Sequence, residues 1–474
     1  MVMGEFTQET DVLVIGAGPG GYAAAFRAAD LGLDVTMVDT GDRPGGVCLF
    51  RGCIPSKTLL YVTELLYDVG RAADMGISLG EPQIDLPRLR EWKKQVVDKL
   101  AGGLVELCRS RGVQFLQGRA VFESSSHARL LEAEISRIKF KHAVIATGSH
   151  TRSIAGAEFR DGGRIMDSTG ALELTDIPKR LLVVGGGYVG VELGSVYASL
   201  GSRVTMVEAG ERLMAGADQD LTAFLSRRLS GLFEAVHVDT RIQSLREFDD
   251  RVEVELEGKV DQPAQSFDRV LIAVGREPNS GGIGLEKTGV EVNEHGFIVV
   301  DEQRRTTDGK IFAVGDAAGG VMLAHKAMHE GKVAAEAIAG QKSAFDYQAI
   351  PAVVYADPQL AWVGLTEEQA RRENRPVKVS RFPWSASGRA ATMGVPRGMT
   401  KVIVDPVTQR VLGVGIVGRE AGEMIAEAVL ALEMGALAED LALSMHPHPT
   451  LSESEEEAAE AFLGTSIHIL PQRR

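Results

Sequence analysis

A chain of 474 residues and 50.8 kDa exceeds what one hydrophobic core holds and predicts roughly three domains at ~150 residues each. The net charge of −14 removes the positive field that gathers phosphate backbones, which argues against nucleic acid as a partner. Three cysteines are too few for a disulfide-stapled secreted scaffold, whereas 54 glycines exceed the ~33 expected at the usual ~7%.

Met1 to Asp11 carries Glu5, Glu9 and Asp11 and no Lys or Arg, which is wrong for a secretory or transit segment. No stretch reaches the ~18 charge-free apolar residues needed to span a bilayer. The expectation is a cytoplasmic chain without membrane insertion; a processed organellar form would read the same way. The first predicted unit is an apolar strand (Val12–Ile15), glycines at 16, 18 and 21, a helix (Tyr22–Leu31) and a strand (Val35–Val38) closed by Asp39. Gly16 suits the tight turn, Gly18 a close backbone approach to a pyrophosphate, and Gly21 close helix–strand packing. The helix N-terminus supplies partial positive charge, and Asp39 can accept hydrogen bonds from a ribose diol.

Six residues after Asp39 begins GGVCLFRGCIPSK (Gly45–Lys57), with Cys48 nine residues past the acid and Cys53 five further on. Such a pair can bridge if the backbone between departs slightly from helix, because bridging needs Cα atoms within about 7 Å. Two buried thiols are the plain alternative, and zinc is disfavoured because C-x4-C lacks a second ligand pair. Cys108, in the helical run Leu104–Arg109, has no partner in sequence and reads as a packing residue. Ala143–Gly148 (AVIATG) is a short strand ending in glycine.

The chain then repeats itself. Strand Leu181–Val184, Gly185, Gly187 and Gly190, a helix to Leu200, strand Val204–Val207 and Glu208 reproduce the first unit. Each acid follows its last glycine by the same eighteen positions. Two complete βαβ dinucleotide-binding fingerprints in one chain imply two nucleotides exchanging electrons. Leu271–Gly275 and Ile311–Gly319 are further strand-to-turn endings, and Ala324–Ala339 is helix-like. From Ile350 the texture becomes α+β, with strands Pro351–Tyr355, Thr400–Val404 and Val411–Val417 and helices Gly422–Met434 and Ser452–Phe462. Thr450-x-x-Glu453 has the form of a capping box. Taken alone, Glu192 reads as a surface helix charge, Lys57 as a solvated one, and His446 and His448 as loop residues among prolines.

Together these motifs resemble the flavin-dependent disulfide oxidoreductases, from about Asp11 to Phe462. The carriers are GAGPGG (Gly16–Gly21), GGVCLFRGCIPSK, the ATG turn (Ala146–Gly148), GGGYVGVE (Gly185–Glu192), AVGREPN (Ala273–Asn279), VGDAAG (Val314–Gly319), MLAHKAMHEG (Met322–Gly331) and HPHPTLSES (His446–Ser454). GCIPSK with LAHKA is similar to the dihydrolipoamide dehydrogenase branch rather than the glutathione branch. No cysteine follows Cys108, which argues against the mercuric-ion and large thioredoxin reductases.

The resemblance implies an α/β fold with two Rossmann-like domains and a C-terminal α+β interface domain. The implied boundaries are 1–151 with 281–347 for a discontinuous FAD domain, 152–280 for the NAD domain and 348–474 for the dimerisation domain. FAD would be held by Gly16, Gly18, Gly21, Asp39, Ala120, Gly148, Lys57, Asp316 and Ala324. NAD would be held by Gly185, Gly187, Gly190, Glu208 and Gly275. Glu208 should repel a 2′-phosphate, although Arg203 and Arg212 lie nearby.

Cys48 would be the sulfur attacked by substrate and Cys53 the one facing flavin. His448 would be the thiol base oriented by Glu453, chosen over His446 by its spacing to that glutamate. Lys57 and Glu192 would pair near the flavin. The implied partners are dihydrolipoyl-carrying acyltransferase subunits or a lipoyl carrier protein, and a second copy in a homodimer. No metal is expected. Two features depart from the family pattern: Phe50-Arg51 stands where relatives often have Asn-Val, and Tyr188 is more typical of the glutathione branch. The alternatives are a different pyridine-nucleotide disulfide reductase, or an FAD-holding subunit without catalysis.

Overall fold

The computed structural model of the chain describes residues 7–131 and 137–470, so Glu5 lies outside them. The β-branched run predicted as the first strand extends over Thr7–Ile15 and sits among the parallel strands of a seven-stranded mixed sheet. Val35–Asp39 and then Gln114–Gln117 line up on one side of it, and Arg137–Ile145 on the other. Strand Ile311–Ala313 pairs in parallel with the second half of Arg137–Ile145. The chain therefore returns to its first sheet after building a second one elsewhere. Helices Pro19–Asp30 and Ala324–Ile338 cover one face and meet at Gly20 and Gly331. A Cβ on Gly331 would lie 2.3 Å from the Gly20 carbonyl, so small residues set this helix–helix distance.

The second sheet repeats the arrangement in the order Ala235–His237, Arg203–Val207, Arg180–Val184, Arg269–Ile272, Ile165–Met166, all parallel. Its central strand buries Leu181, Leu182 and Val183 in succession, as a parallel sheet covered on both faces requires. A three-stranded antiparallel sheet (Thr240–Glu247, Val252–Gly258, Ala264–Phe267) closes one face through Val252, Val254, Leu256 and Phe267. The two fingerprints are held by the same close approach. A Cβ on Gly21 would sit 1.8 Å from the Gly16 carbonyl oxygen, and one on Gly190 would sit 2.0 Å from that of Gly185.

Residues beyond 350 form a five-stranded antiparallel sheet, Ala352–Val354, Gln359–Gly364, Val411–Gly418, Met399–Val404, Lys378–Pro383. Helices Ala421–Met434 and Glu453–Leu463 bury Ile425, Ala428, Ala458 and Ala459 against it. No described helix is long and apolar enough to cross a membrane. The elements predicted from periodicity are all present, with ends moved by a few residues.

One buried ion cluster docks the last sheet on the second. Lys401, with a side chain 1% exposed, donates to Asp218 at 2.6 Å, Asp220 at 2.8 Å and Glu367 at 3.0 Å. The carboxylates could be mistaken for a metal site, but the ammonium already occupies their centre. Removing the cation strips the buried Asp218 carboxylate of its charge partner, while Arg381 still pairs with the partly exposed Asp220 and Glu367. Lys401→Met should therefore destabilise the protein by about 3–5 kcal/mol. A thermal melt unchanged from the wild type would show that the cluster does not carry the docking.

Candidate functional site

Two clefts follow from the two sheets. The first is lined by Gly16, Gly18–Gly20, Asp39, Gly46–Cys48, Arg51–Cys53, Ser56, Lys57, Gly148, Asp316 and Ala324, among others. The helix Pro19–Asp30 begins at its mouth with Pro at the first turn and no acidic residue there, so its free N–H groups face the cleft unopposed. Asp39, at the end of its strand, accepts from the N–H groups of Ala17 at 2.6 Å and Gly41 at 2.8 Å. That anchors the acid at the turn where a ribose would lie. Gly46 presses on the same turn: a Cβ there would lie 2.5 Å from the Gly18 Cα. A cleft of bare backbone beside an anchored acid fits a dinucleotide such as FAD. Gly21 packs behind the turn and does not line the cleft. Ala120 is also away from the lining, buried in strand Arg119–Ser124.

The cysteines sit on the inner wall of this cleft. Cys48 belongs to the short helix Gly46–Arg51, and Cys53 starts the long helix Cys53–Arg71. Gly52 separates them at φ −150°, ψ −110°, which is the departure from helix that the spacing requires. The two free thiols hydrogen-bond each other. Cys53 is drawn down to about 7 by the Cys48 hydrogen bond and by the Lys57 charge, against the opposing effect of burial. Cys48 moves strongly upward, because it holds the shared proton and is buried. The pair is asymmetric, with a thiolate favoured at Cys53. Cys108 is buried in helix Leu86–Ser110 and takes no part.

Glu192 and Lys57 are not the solvated charges that their positions alone imply. Glu192 is 2% exposed on helix Tyr188–Ser199. Its carboxylate accepts from Lys57 Nζ at 2.8 Å, Ser56 Oγ at 3.0 Å and the Tyr355 backbone N–H at 2.9 Å. The Lys57 ammonium also lies 4.7 Å from the centroid of the Tyr355 ring. Burial works against the Lys57 charge, but Glu192 outweighs it and holds the ammonium above the usual lysine range.

The second cleft is lined by Gly185, Gly187, Glu208 and Gly275, with Gly190 again packed behind. Glu208 accepts from the N–H groups of Gly186 at 2.6 Å and Gly210 at 2.7 Å, so its geometry repeats that of Asp39. The same fit supports NAD here. Arg203 and Arg212 are not among the lining residues; Arg203 faces Glu234 and Arg212 pairs with Glu368. Arg241, which sequence reasoning missed, does line it. Tyr188 and Arg276 line both clefts. Arg276 is held by Ser149 through Nε at 2.7 Å, and Ser149 in turn donates to Asp316. Arg276 lies inside AVGREPN, so its motif carried a signal; Tyr355 and Ser149 carried none.

His448 and Glu453 lie outside both clefts. His448, with a side chain 75% exposed, meets Glu453 Oε1 through Nδ1 at 2.7 Å. Glu453 Oε2 also accepts from the Thr450 N–H at 2.6 Å. Half of the capping box therefore forms, while Thr450 Oγ1 turns to the Pro447 carbonyl instead. One carboxylate both fixes the loop and orients the imidazole. His446 differs: its side chain is 6% exposed and is held by Glu427 at 2.9 Å and Glu456 at 3.2 Å. Those contacts push it up to about 9, led by Glu427 and then the Ser444 carbonyl. A histidine already protonated at neutral pH makes a poor base.

Residues 10–331 match the family described as pyridine nucleotide-disulphide oxidoreductase, and residues 350–459 match its dimerisation domain. The dihydrolipoyl dehydrogenase of Vibrio parahaemolyticus is 44% identical over 98% of each chain. That of Geobacillus stearothermophilus is 44% identical over 99% of this chain and all of the other. Among solved structures, LpdA from Mycobacterium tuberculosis has a TM-score of 0.88 at 26% identity, covering 96% of this chain and 99% of its own. The HOCl-induced flavoprotein disulfide reductase RclA from Escherichia coli has a TM-score of 0.85 at 28% identity, covering 95% of this chain and 99% of its own.

Next to the His448 loop, Glu455 is fully buried, and neither carboxyl oxygen has a hydrogen-bond partner among the described residues. Burial first, and then the Glu427 charge, pushes it up to about 8, with His446 opposing. Both Glu455 and His446 have raised folded-state values. Their stabilising contributions are complete below the unfolded values and decline as pH rises toward about 8 and about 9 respectively. Glu455→Gln should raise the melting temperature at pH 9 and leave it nearly unchanged at pH 5. Parallel melting curves for the two proteins across that range would show that the carboxyl is not held protonated.

Proposed function

Because this chain belongs to the pyridine nucleotide-disulphide oxidoreductase family, we propose that it is an NAD-dependent dihydrolipoyl dehydrogenase, oxidising dihydrolipoyl groups. The observation that carries this reading is the Cys48–Cys53 pair lining the first cleft beside the Lys57–Glu192 ion pair. The full-length likeness to dihydrolipoyl dehydrogenases supports the same substrate. The carriers of that group would be an acyltransferase subunit or a lipoyl carrier protein.

FAD in the first cleft and NAD in the second supply two successive acceptors for one electron pair. The chain's own residues do the thiol chemistry. With Nδ1–H directed at Glu453, His448 presents Nε2 as the acceptor for a substrate thiol proton. The thiolate so formed attacks Cys48 Sγ and breaks the Cys48–Cys53 disulfide, which leaves Cys53 as thiolate. The second substrate thiol then displaces Cys48, which leaves as the protonated partner. Substrate is released as the cyclic disulfide, and its two electrons remain on the cysteines. Lys57 stabilises the Cys53 thiolate while that charge persists.

His448 is exposed and lies outside the cleft of its own chain, so a second copy is required to bring base and cysteines together. The dimerisation domain supports a homodimer, and exposed Leu430, Met434, Leu443 and Met445 provide apolar surface for one. Each subunit's His448 then serves the other's cysteines. Tyr188, at the border of both clefts, is the observation that favours a reductase acting on another disulfide.

Steady-state rates separate these readings. Dihydrolipoamide with NAD⁺ should turn over far faster than glutathione disulfide with NADPH, and the opposite ranking would reject the proposal. Cys48→Ser and Cys53→Ser should each abolish dihydrolipoamide turnover while keeping bound flavin; loss of the flavin instead would make the pair structural. His448→Gln should slow the thiol half-reaction about 10²–10⁴-fold, the usual worth of a general base, and spare NADH-to-quinone electron flow. Equal losses in both would remove its role as base.

A further inference from the structure

The short helix Gly46–Arg51 has two faces with different surroundings. Gly46, Val47, Cys48 and Arg51 line the first cleft. Leu49 and Phe50 turn the other way, onto Val97, Ala101 and Leu104. The Arg43 guanidinium covers Phe50 at 5.3 Å and is itself tied to Asp98 at 3.0 Å. Of the two bulky residues Phe50 and Arg51, one is therefore built into the neighbouring helix. The other, Arg51, is among the residues lining the cleft.

Three basic side chains line that cleft: Arg51, Lys57 and Arg276. Lys57 is engaged by Glu192, and Arg276 by the hydroxyl and carbonyl of Ser149. Arg51 is exposed and makes no side-chain hydrogen bond or ion pair among the described residues. Its helix starts against the phosphate-binding turn, where Gly46 nearly touches Gly18. Five residues of helical rise, about 7.5 Å, separate Arg51 from that point, within reach of an extended arginine side chain. A dinucleotide placed on the turn brings two phosphate charges to it. The helix Pro19–Asp30 answers them with only about half an elementary charge.

We propose that Arg51 is a ligand of the flavin diphosphate, supplying the full positive charge that the glycine turn lacks. A guanidinium can grip phosphate oxygens bidentately, which an uncharged residue at this position cannot do. The inference rests on the reading that the first cleft holds FAD, and the two fail separately. A wild-type protein purified without flavin would overturn that reading.

The test is the rate at which the holoenzyme releases FAD on dilution, followed by the recovery of flavin fluorescence. Arg51→Val should release it about tenfold faster at about 0.1 M salt, and the difference should shrink toward unity near 1 M, where charges are screened within ~3 Å. Arg51→Lys should fall closer to the wild type. Equal release by wild type and Arg51→Val would overturn the proposal. A ratio that does not change with salt would also overturn it, because packing alone gives that result. A raised KM for dihydrolipoamide with unchanged flavin release would place Arg51 on the substrate side instead, and would likewise overturn it.

Discussion

The Glu192 carboxylate is the point through which three parts of the chain are aligned. It rises from the helix that opens the second fingerprint and receives Ser56 and Lys57 from the redox helix. It also takes the Tyr355 N–H from the edge of the last sheet. A buried carboxylate is costly unless its oxygens are satisfied, and three donors from two other regions satisfy this one. The arrangement is therefore self-selecting, because any shift of one layer relative to another strands a charge. Lys57 in the first cleft, the border between the two clefts and the dimerisation sheet share one reference atom group.

The chemistry of the cysteine pair depends on that alignment. A thiolate at Cys53 needs a nearby positive charge that is itself held in place, and Lys57 is held by Glu192 and by the Tyr355 ring. The break at Gly52 puts the two sulfurs on different helices, one short and one nineteen residues long. Cys48 can exchange partners while Cys53 stays fixed at the start of a rigid element. On the same principle the two acids that close the fingerprints, Asp39 and Glu208, are each held by a pair of backbone N–H groups.

Local rules made much of this readable from sequence. Strand runs, glycine spacing and the acids eighteen residues beyond them are short-range patterns, and they reappear in place as sheets, turns and anchored carboxylates. The spacing of the cysteines made bridging conditional on a departure from helix, and Gly52 provides one. What escaped is tertiary. Glu192 reads as a surface charge because nothing within its own helix reveals that two distant segments will cover it. Lys401 and Glu455 look equally ordinary until a sheet and a helix close over them. Ala120, assigned to the nucleotide by resemblance alone, is buried in its strand and is not among the residues lining the cleft. Phe50-Arg51 was visible as a departure, yet only packing separates the half that faces a helix from the half that faces the cleft.

The Lys401 cluster has a consequence for the conditions under which the molecule keeps its shape. Three carboxylates gathered at one point are the usual material of a calcium or magnesium site, and in such a design chelators would loosen the joint between layers. Here the counter-charge is covalently part of the chain, delivered by the strand that the acids must hold. The joint is consequently indifferent to the supply of divalent ions. It cannot be emptied by competition, and every newly made copy carries it from the ribosome onward.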